Sequence, residues 1–393
     1  MGLSHKIVVI APLSAPVDTK SGGRIHLVSK ALADRGIAVE VISLAASNIG
    51  EFLHVLDNVQ YKFYAITKKT NETFLNKIFL KVRIYLSVFF ACLFKLDRNS
   101  IVLFFPNCDF RFLLMILCRL RGLKIVMEIN EYPLVGRTEG LLVRLKRFII
   151  FSLTFPLCSG FIVISDTLKE LVIKYGKSKV GVIKIPVIAL NPVISVENLN
   201  SPLVIPYILH VGSLNEQKDG IVGMLECFSA LVGRTNFSIK MIFTGDLNKS
   251  QDSEEILNAI ERLKLKDYVI FLGYLSTKEL ELYMSFASAA IVNKKENIQN
   301  KYCFATKISE YLSWGIPLVT TNYGEAMNFL INGENAIIVE KNDYFSMSAA
   351  IQDLFENPEK YSELKKKGRE LFKLKFEYSN YSEVLYQFFT QLN

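Results

Sequence analysis

Apolar residues along this chain come in two rhythms, short unbroken runs and longer stretches with a helical period. HKIVVIAPL (5–13) is an unbroken run, as expected of a strand buried on both faces. After the polar loop SAPVDTKSGG, the segment RIHLVSKALADRG has apolar residues at 25, 27, 28, 31 and 32, one face of a helix, and closes on Gly36. IAVEVISL (37–44) completes a βαβ unit. Further strands are expected at 101–105, 124–129, 161–165 and 180–186, with helices between them. Residues 187–206 contain three prolines and no helical period. A second alternating series follows, with strands at 207–214, 240–246, 268–274, 288–293, 316–321 and 336–340. The pattern predicts an α/β protein with two Rossmann-like, doubly wound domains in tandem. The expected boundaries are 1–190, a linker at 191–206, a second domain at 207–375, and a C-terminal helix at 376–393 that packs back on the first domain. Ligands of such sheets bind beyond the carboxyl ends of the strands, so the expected site is a cleft between the two domains.

Composition narrows the class. Half of the 393 residues are hydrophobic and mean hydropathy is +0.27, yet no run gives the ~18 apolar residues of a membrane span. The nearest, FIIFSLTFPLCSGFIVI (148–164), is interrupted by Pro156, Ser159 and Gly160 and reads as a helix end, a turn and a strand. The N-terminal apolar stretch is too short for a signal peptide and reads as the first strand. Cysteines 92, 108, 118, 158, 227 and 303 form no CxxC pair, so free buried thiols of a reducing cytosol are expected. The four histidines stand far apart and no Asp-x-Asp occurs, so no metal site is expected. The net charge of +8 is uneven: residues 1–200 carry 26 Lys+Arg against 14 Asp+Glu, the remainder 20 against 24. Only the first half is therefore expected to meet an anionic surface. Its segments 77–95, 110–124 and 144–151 interleave aliphatic and aromatic residues with Lys and Arg, which suits a membrane surface as well as buried helices. No nucleic-acid module is recognisable.

Candidate chemistry concentrates in FATKISEYLSWGIPLV (304–319). Thr306 stands at a helix start, where free N–H groups and the positive dipole end suit a phosphate. Lys307 in the first turn opposes that dipole unless an anion docks nearby. Glu310 shares its face and can accept two hydrogen bonds from the vicinal hydroxyls of a ribose. Ile308, Tyr311 and Leu312 are expected to point to the core. Spacing alone fits equally well a Lys307–Glu310 surface ion pair worth about 0.2–0.5 kcal/mol.

This stretch resembles the donor-site segment of family-four glycosyltransferases, retaining enzymes of the GT-B fold. Ala305-Thr306-Lys307, Glu310-Tyr311 and Gly315-Ile316-Pro317 follow the family's order. HVGSLNEQKDG (210–220) is similar to its glycine loop, FTGD (243–246) and residues 271–292 and 328–340 to other segments, and Gly22-Gly23 to the loop closing over donor phosphates and acceptor. The resemblance implies that Glu310 holds the ribose of a UDP- or GDP-linked sugar and that Lys218 meets the diphosphate. Gly212, Ser213, Tyr302, Phe304, Thr306 and Lys307 would line the donor site, with no further cofactor. Two positions depart from the family: Tyr302 stands where a second glutamate is usual, with Glu296 the nearest upstream acid, and Ser213 where an arginine is common. Tyr302, Asn300 or Glu296 are the candidates for the missing sugar contact.

The implied reaction moves a sugar to an acceptor hydroxyl with retained anomeric configuration. Lys218 and the helix start would stabilise the charge growing on the departing phosphate. On the acceptor side, Asn107, Asp109, Glu128, Asn130 and Glu131 end strands, and Glu131 with Asn130 is the choice for taking the acceptor proton. The implied acceptor is a saccharide, free or on a polyprenyl diphosphate, in capsule, O-antigen or exopolysaccharide synthesis, at the inner face of the cell membrane. The rival readings are an inactive GT-B relative that binds nucleotide sugar or scaffolds a partner, and a GT-B nucleotide-sugar epimerase.

Overall fold

The computed structural model describes residues 6–14, 23–66, 74–106, 110–134, 140–192, 200–235 and 238–392. The chain divides into two compact units, one of residues 1–186 with 378–393 and the other of residues 187–377.

The first unit is built on strands β1 (Ile7–Ala11), β2 (Val39–Ser43), β3 (Leu53–Leu56), β4 (Val59–Lys62), β5 (Ile101–Phe104), β6 (Lys124–Ile129), β7 (Gly160–Val163) and β8 (Gly181–Lys184). Among the described residues they form one sheet in the order β3-β4-β2-β1-β5-β6-β7-β8. All neighbours are parallel except β3 with β4. The runs expected as strands are strands because their Val, Ile and Phe side chains are buried on both faces, as the all-buried β1, β2 and β5 show. The β3–β4 hairpin was not expected. Its signal is Asp57-Asn58, both in the left-handed region at φ 51° and 61°, the residues a two-residue hairpin turn favours.

The helices of this unit are α1 (Gly23–Ala33), α2 (Phe74–Phe90), α3 (Arg111–Leu120), α4 (Leu141–Phe148) and α5 (Asp166–Tyr175). α2 and α4 each continue into a wider π-helical turn, Ala91–Lys95 and Ile149–Thr154. As the sequence indicates, 148–164 is helix end, turn and strand, with Pro156 inside a short 3-10 turn. No helix among the described residues is long and apolar enough to cross a membrane.

Strands of the second unit are β9 (Tyr207–His210), β10 (Lys240–Phe243), β11 (Val269–Phe271), β12 (Ala289–Val292), β13 (Leu318–Thr321) and β14 (Ile337–Val339), all parallel, in the order β11-β10-β9-β12-β13-β14. Its helices are α6 (Glu216–Asp219), α7 (Ile221–Val232), α8 (Ser253–Arg262), α9 (Thr277–Phe286), α10 (Ile298–Tyr302), α11 (Thr306–Ser313), α12 (Tyr344–Glu356) and α13 (Pro358–Leu371). α7 and α12 bury Leu225, Phe228, Met347 and Ile351 against one face of the sheet. Residues 294–304, between β12 and α11, contain α10, which Asn297 caps by accepting from Asn300 N at 2.8 Å. The last helix, α14 (Ser382–Gln391), belongs to the first unit. Phe388 lies where any side chain on Gly160 or Gly181 would collide with it, 2.7 and 3.2 Å away, so glycine at both strand ends admits the helix.

In each sheet the strand order reverses once, between β1 and β5 and between β9 and β12. At such a switch point adjacent loops diverge and leave a crevice for a ligand.

Candidate functional site

The second unit's switch point is built by the loops after β9 and β12 and by the start of α11. β9 ends at His210, and Gly212 follows at φ +123°, a conformation side chains rarely adopt. A Cβ there would stand 3.5 Å from Lys307 Nζ. Gly212 N donates to Thr244 Oγ1 at 3.1 Å, which fixes the loop against β10. The chain then enters α6, capped by Asn215, whose Oδ1 accepts from Lys218 N at 2.7 Å. Gly220 ends this turn in the left-handed region at φ 57°, with Asn293 Nδ2 donating to its carbonyl at 2.8 Å. A Cβ on Gly220 would meet that amide at 2.5 Å, so the close approach of the two loops requires glycine.

Lys307 does not pair with Glu310 as surface spacing allows. It turns inward and donates to Asp219 Oδ1 at 3.0 Å and to His210 Nε2 at 3.3 Å. Lys294, from the loop after β12, donates to the same Asp219 oxygen at 2.9 Å and to the Lys218 carbonyl at 2.9 Å. All four side chains are buried or nearly so, with Asp219 3% and Lys307 12% exposed. Because His210 Nε2 accepts from the ammonium, its proton sits on Nδ1, which faces the Ile291 carbonyl at 3.5 Å. Burial and then the Lys307 charge push His210 down to about 3, so the imidazole is neutral. Burial alone would raise the Asp219 carboxyl, but Lys307 and Lys294 outweigh it and hold it far below the usual carboxylate range. Burial pulls Lys307 down despite Asp219. The cluster thus holds two ammonium groups on one carboxylate, an excess of positive charge directly beneath the Gly212 loop.

α11 presents its N-terminus here. Ala305 is the cap residue and offers no side-chain acceptor, so Thr306 is the first helical residue and the first-turn N–H groups are free of a side-chain cap. Glu310, one turn on, is half-buried, and its carboxylate accepts no hydrogen bond among the described residues. Burial raises its pKa, with Lys307 pulling the other way. Tyr311 is fully buried, and its hydroxyl accepts from Val211 N at 2.7 Å, tying α11 to the mouth of the glycine loop. Ile308 and Leu312 are in the core as expected.

The structure therefore brings together Gly212, Lys218, Thr306, Lys307 and Glu310 around one switch point. Lys218 adjoins Asp219, which holds Lys307. Ser213 is exposed on the same loop. Tyr302 ends α10, which is anchored beside Lys218 by Asn297 Nδ2 donating to the Gln217 carbonyl at 2.7 Å. Asn300 Nδ2 donates to the Lys295 carbonyl at 2.9 Å while its Oδ1 is buried without a hydrogen-bond partner among the described residues, and Glu296 is held by Lys341 at 2.5 Å. Phe304 differs from expectation. Its ring is 2% exposed and stacks on Phe329 at 5.5 Å with Phe376 at its edge, so this side chain is core.

Glu131 lies in the first unit, half-buried just after β6 beside Asn130. Gly22, Asn107 and Asp109 fall outside the described residues. Gly23 opens α1, and a Cβ there would meet nothing within 4 Å. The sequence reading missed its neighbour Arg24, which pairs with the fully buried Glu128 and donates to the carbonyls of Pro186 at 2.5 Å and Ile185 at 2.8 Å. Glu128, taken for a strand-end polar group, is thereby a buried tie of β6 to α1. Asp219, His210 and Lys294 were also missed; Lys294 and Asp219 are 75 positions apart, and nothing in their local patterns links them. Among the described residues no three His, Cys, Asp or Glu side chains gather to hold a metal, and the five described cysteines are free and buried.

Residues 196–371 match the family model described as Glycosyl transferases group 1. Sucrose-phosphate synthase from Thermosynechococcus elongatus is similar in structure over 99% of both chains, with a TM-score of 0.74 at 17% identity. Anabaena HepE in complex with UDP-glucose aligns over 98% of this chain and 99% of its own, with a TM-score of 0.70 at 16% identity. A glycosyltransferase from Rickettsia africae covers 99% of both chains, with a TM-score of 0.70 at 14% identity. A search of curated proteins by sequence gives no match. Residues 196–371 are thus similar to glycosyl transferases group 1, in a chain with the GT-B fold.

Proposed function

We propose that this protein transfers a sugar from a nucleotide donor to an acceptor hydroxyl with retention of anomeric configuration. One observation carries the reading: a buried excess of positive charge, the uncapped start of α11 and an unpartnered carboxylate converge at one switch point. An anion and a diol, the diphosphate and the adjoining ribose of a sugar nucleotide, answer those needs. Lys218 and the first turn of α11 receive the diphosphate, and Glu310 accepts from the ribose hydroxyls. The Anabaena neighbour's complex with UDP-glucose supports a UDP-linked donor, with GDP the alternative. Attack on the face that the phosphate leaves needs no protein nucleophile, and Glu131 is the proposed acceptor-side base. The proposed acceptor is a saccharide, free or carried on a polyprenyl diphosphate, in surface-polysaccharide synthesis at the inner face of the cell membrane.

Tyr302, where a second acid is usual, favours one alternative, a relative that binds nucleotide sugar without turning it over. The proposal is tested by incubating the protein with a panel of nucleotide sugars, with and without saccharide and lipid-linked acceptors. Nucleotide release that requires acceptor, with product of unchanged anomeric configuration, is the expected result. Binding without release in every combination establishes the alternative, and isomerised free nucleotide sugar shows an epimerase.

A further inference from the structure

Two helices of the first unit, α2 and α4, turn apolar residues to solvent. α2 buries Ile84 and Val88, and the turn after it Cys92, yet Leu75, Phe79, Leu86 and Phe90 are each more than half exposed. Their spacing is that of a second stripe on the opposite face. α4 buries no residue at all and exposes Leu141, Leu145 and Phe148 at i, i+4 and i+7. α3 lies between them, against the turns that extend both helices. Arg121, just after α3, donates to the carbonyls of Cys92 at 2.9 Å and Leu96 at 2.6 Å, and Phe110 meets Tyr85 edge-on at 5.6 Å. The stripes thus belong to one neighbourhood, to which α3 adds the exposed Phe110, Leu113 and Leu120. An apolar area of this extent marks an interaction site.

Charge identifies the occupant. Residues 74–95, 111–120 and 141–154 contain nine Lys and Arg and no Asp or Glu. Lys77, Lys81 and Arg83 flank the α2 stripe and Arg144, Lys146 and Arg147 the α4 stripe, all exposed. A second copy of this chain would set the same basic face against itself. A surface that is apolar at depth and anionic at its rim fits instead. We infer that α2, α3 and α4 dock the protein onto an anionic lipid bilayer, with the two stripes inserted to the acyl boundary and the basic residues on the headgroups. The inference names the partner of the proposed reading, the membrane that presents a lipid-linked acceptor, and rests on it only for that purpose.

The full chain is mixed with vesicles of phosphatidylcholine alone or with one third phosphatidylglycerol, then sedimented. Binding to the anionic vesicles is expected, weakened at least tenfold in Phe79→Ser/Leu145→Ser and reduced by raised salt. Both residues point outward, so an unchanged thermal melt and unchanged UDP binding verify that these variants are folded. Failure of the wild type to sediment with anionic vesicles, or equal sedimentation of the double variant, overturns the inference. So does a dimer in vesicle-free buffer that the same variant dissolves. UDP binding without vesicle binding refutes the docking alone; vesicle binding without UDP binding refutes the donor reading alone.

Discussion

Two buried ionic clusters, one after the first strand of each unit, solve the same problem in opposite ways. In the first unit Arg24 meets Glu128 and two backbone carbonyls, one charge against one charge with the guanidinium fork filled. In the second unit Asp219 serves both Lys294 and Lys307, and the remaining partner, His210, is a neutral acceptor. The first cluster is balanced in charge and ties elements together, with Glu128 Oε2 left buried and without a hydrogen-bond partner among the described residues. The unbalanced one keeps a desolvated positive charge that an anion relieves. Burial is common to both; the difference between them is charge balance, and on the proposed reading the unbalanced cluster is the one that binds.

The largest expected effect breaks the balanced cluster. Arg24→Ala leaves Glu128 buried and unpaired and should cost about 3–5 kcal/mol in urea unfolding, a loss that UDP does not selectively restore. A loss below about 1 kcal/mol would show that Glu128 is relieved by protonation, since burial already raises its pKa. Asp219→Asn leaves two buried ammonium groups without their carboxylate and should cost about 3 kcal/mol. Here UDP should raise the melting temperature more than it does in the wild type, because the added anion replaces the missing charge. Equal shifts in both proteins would remove the contrast between the clusters.

Glu310→Gln tests the diol contact and should weaken donor binding by about 1.5–3 kcal/mol in calorimetry, with stability held or slightly raised. The effect of pH is spread over several units. His210 is lowered from 6.5 to about 3, so between those values the unfolded chain binds a proton that the folded one refuses. Its contribution to stability is present above pH 6.5 and is lost on acidification at up to about 1.4 kcal/mol per pH unit. His210→Gln should flatten that part of the stability profile, and an unaltered slope would mean the imidazole is protonated in the fold.

Most strands were legible because burial on both faces demands unbroken apolar runs, and 101–104 and 289–292 are such runs. The 53–62 hairpin escaped because β3 alternates between exposed and half-buried, with only Asp57-Asn58 to betray it. Glu310, Lys218 and Thr306 could be picked from short spacing and family resemblance, since a helix start and the turn after it are local objects. The partner of Lys307 could not. Local spacing offers Glu310 at three residues, but the fold supplies Asp219 from 88 positions away.

By itself the sequence determined two alternating α/β series, the polar loops that follow their strands, and a basic first half, because hydrophobic period, turn chemistry and net charge are written residue by residue. Only the tertiary structure decided which charges meet, that Phe304 is core, and that α2 and α4 keep apolar stripes in solvent. Electrostatic energy and burial depend on distances in space, and only the packing of the sheets sets those distances.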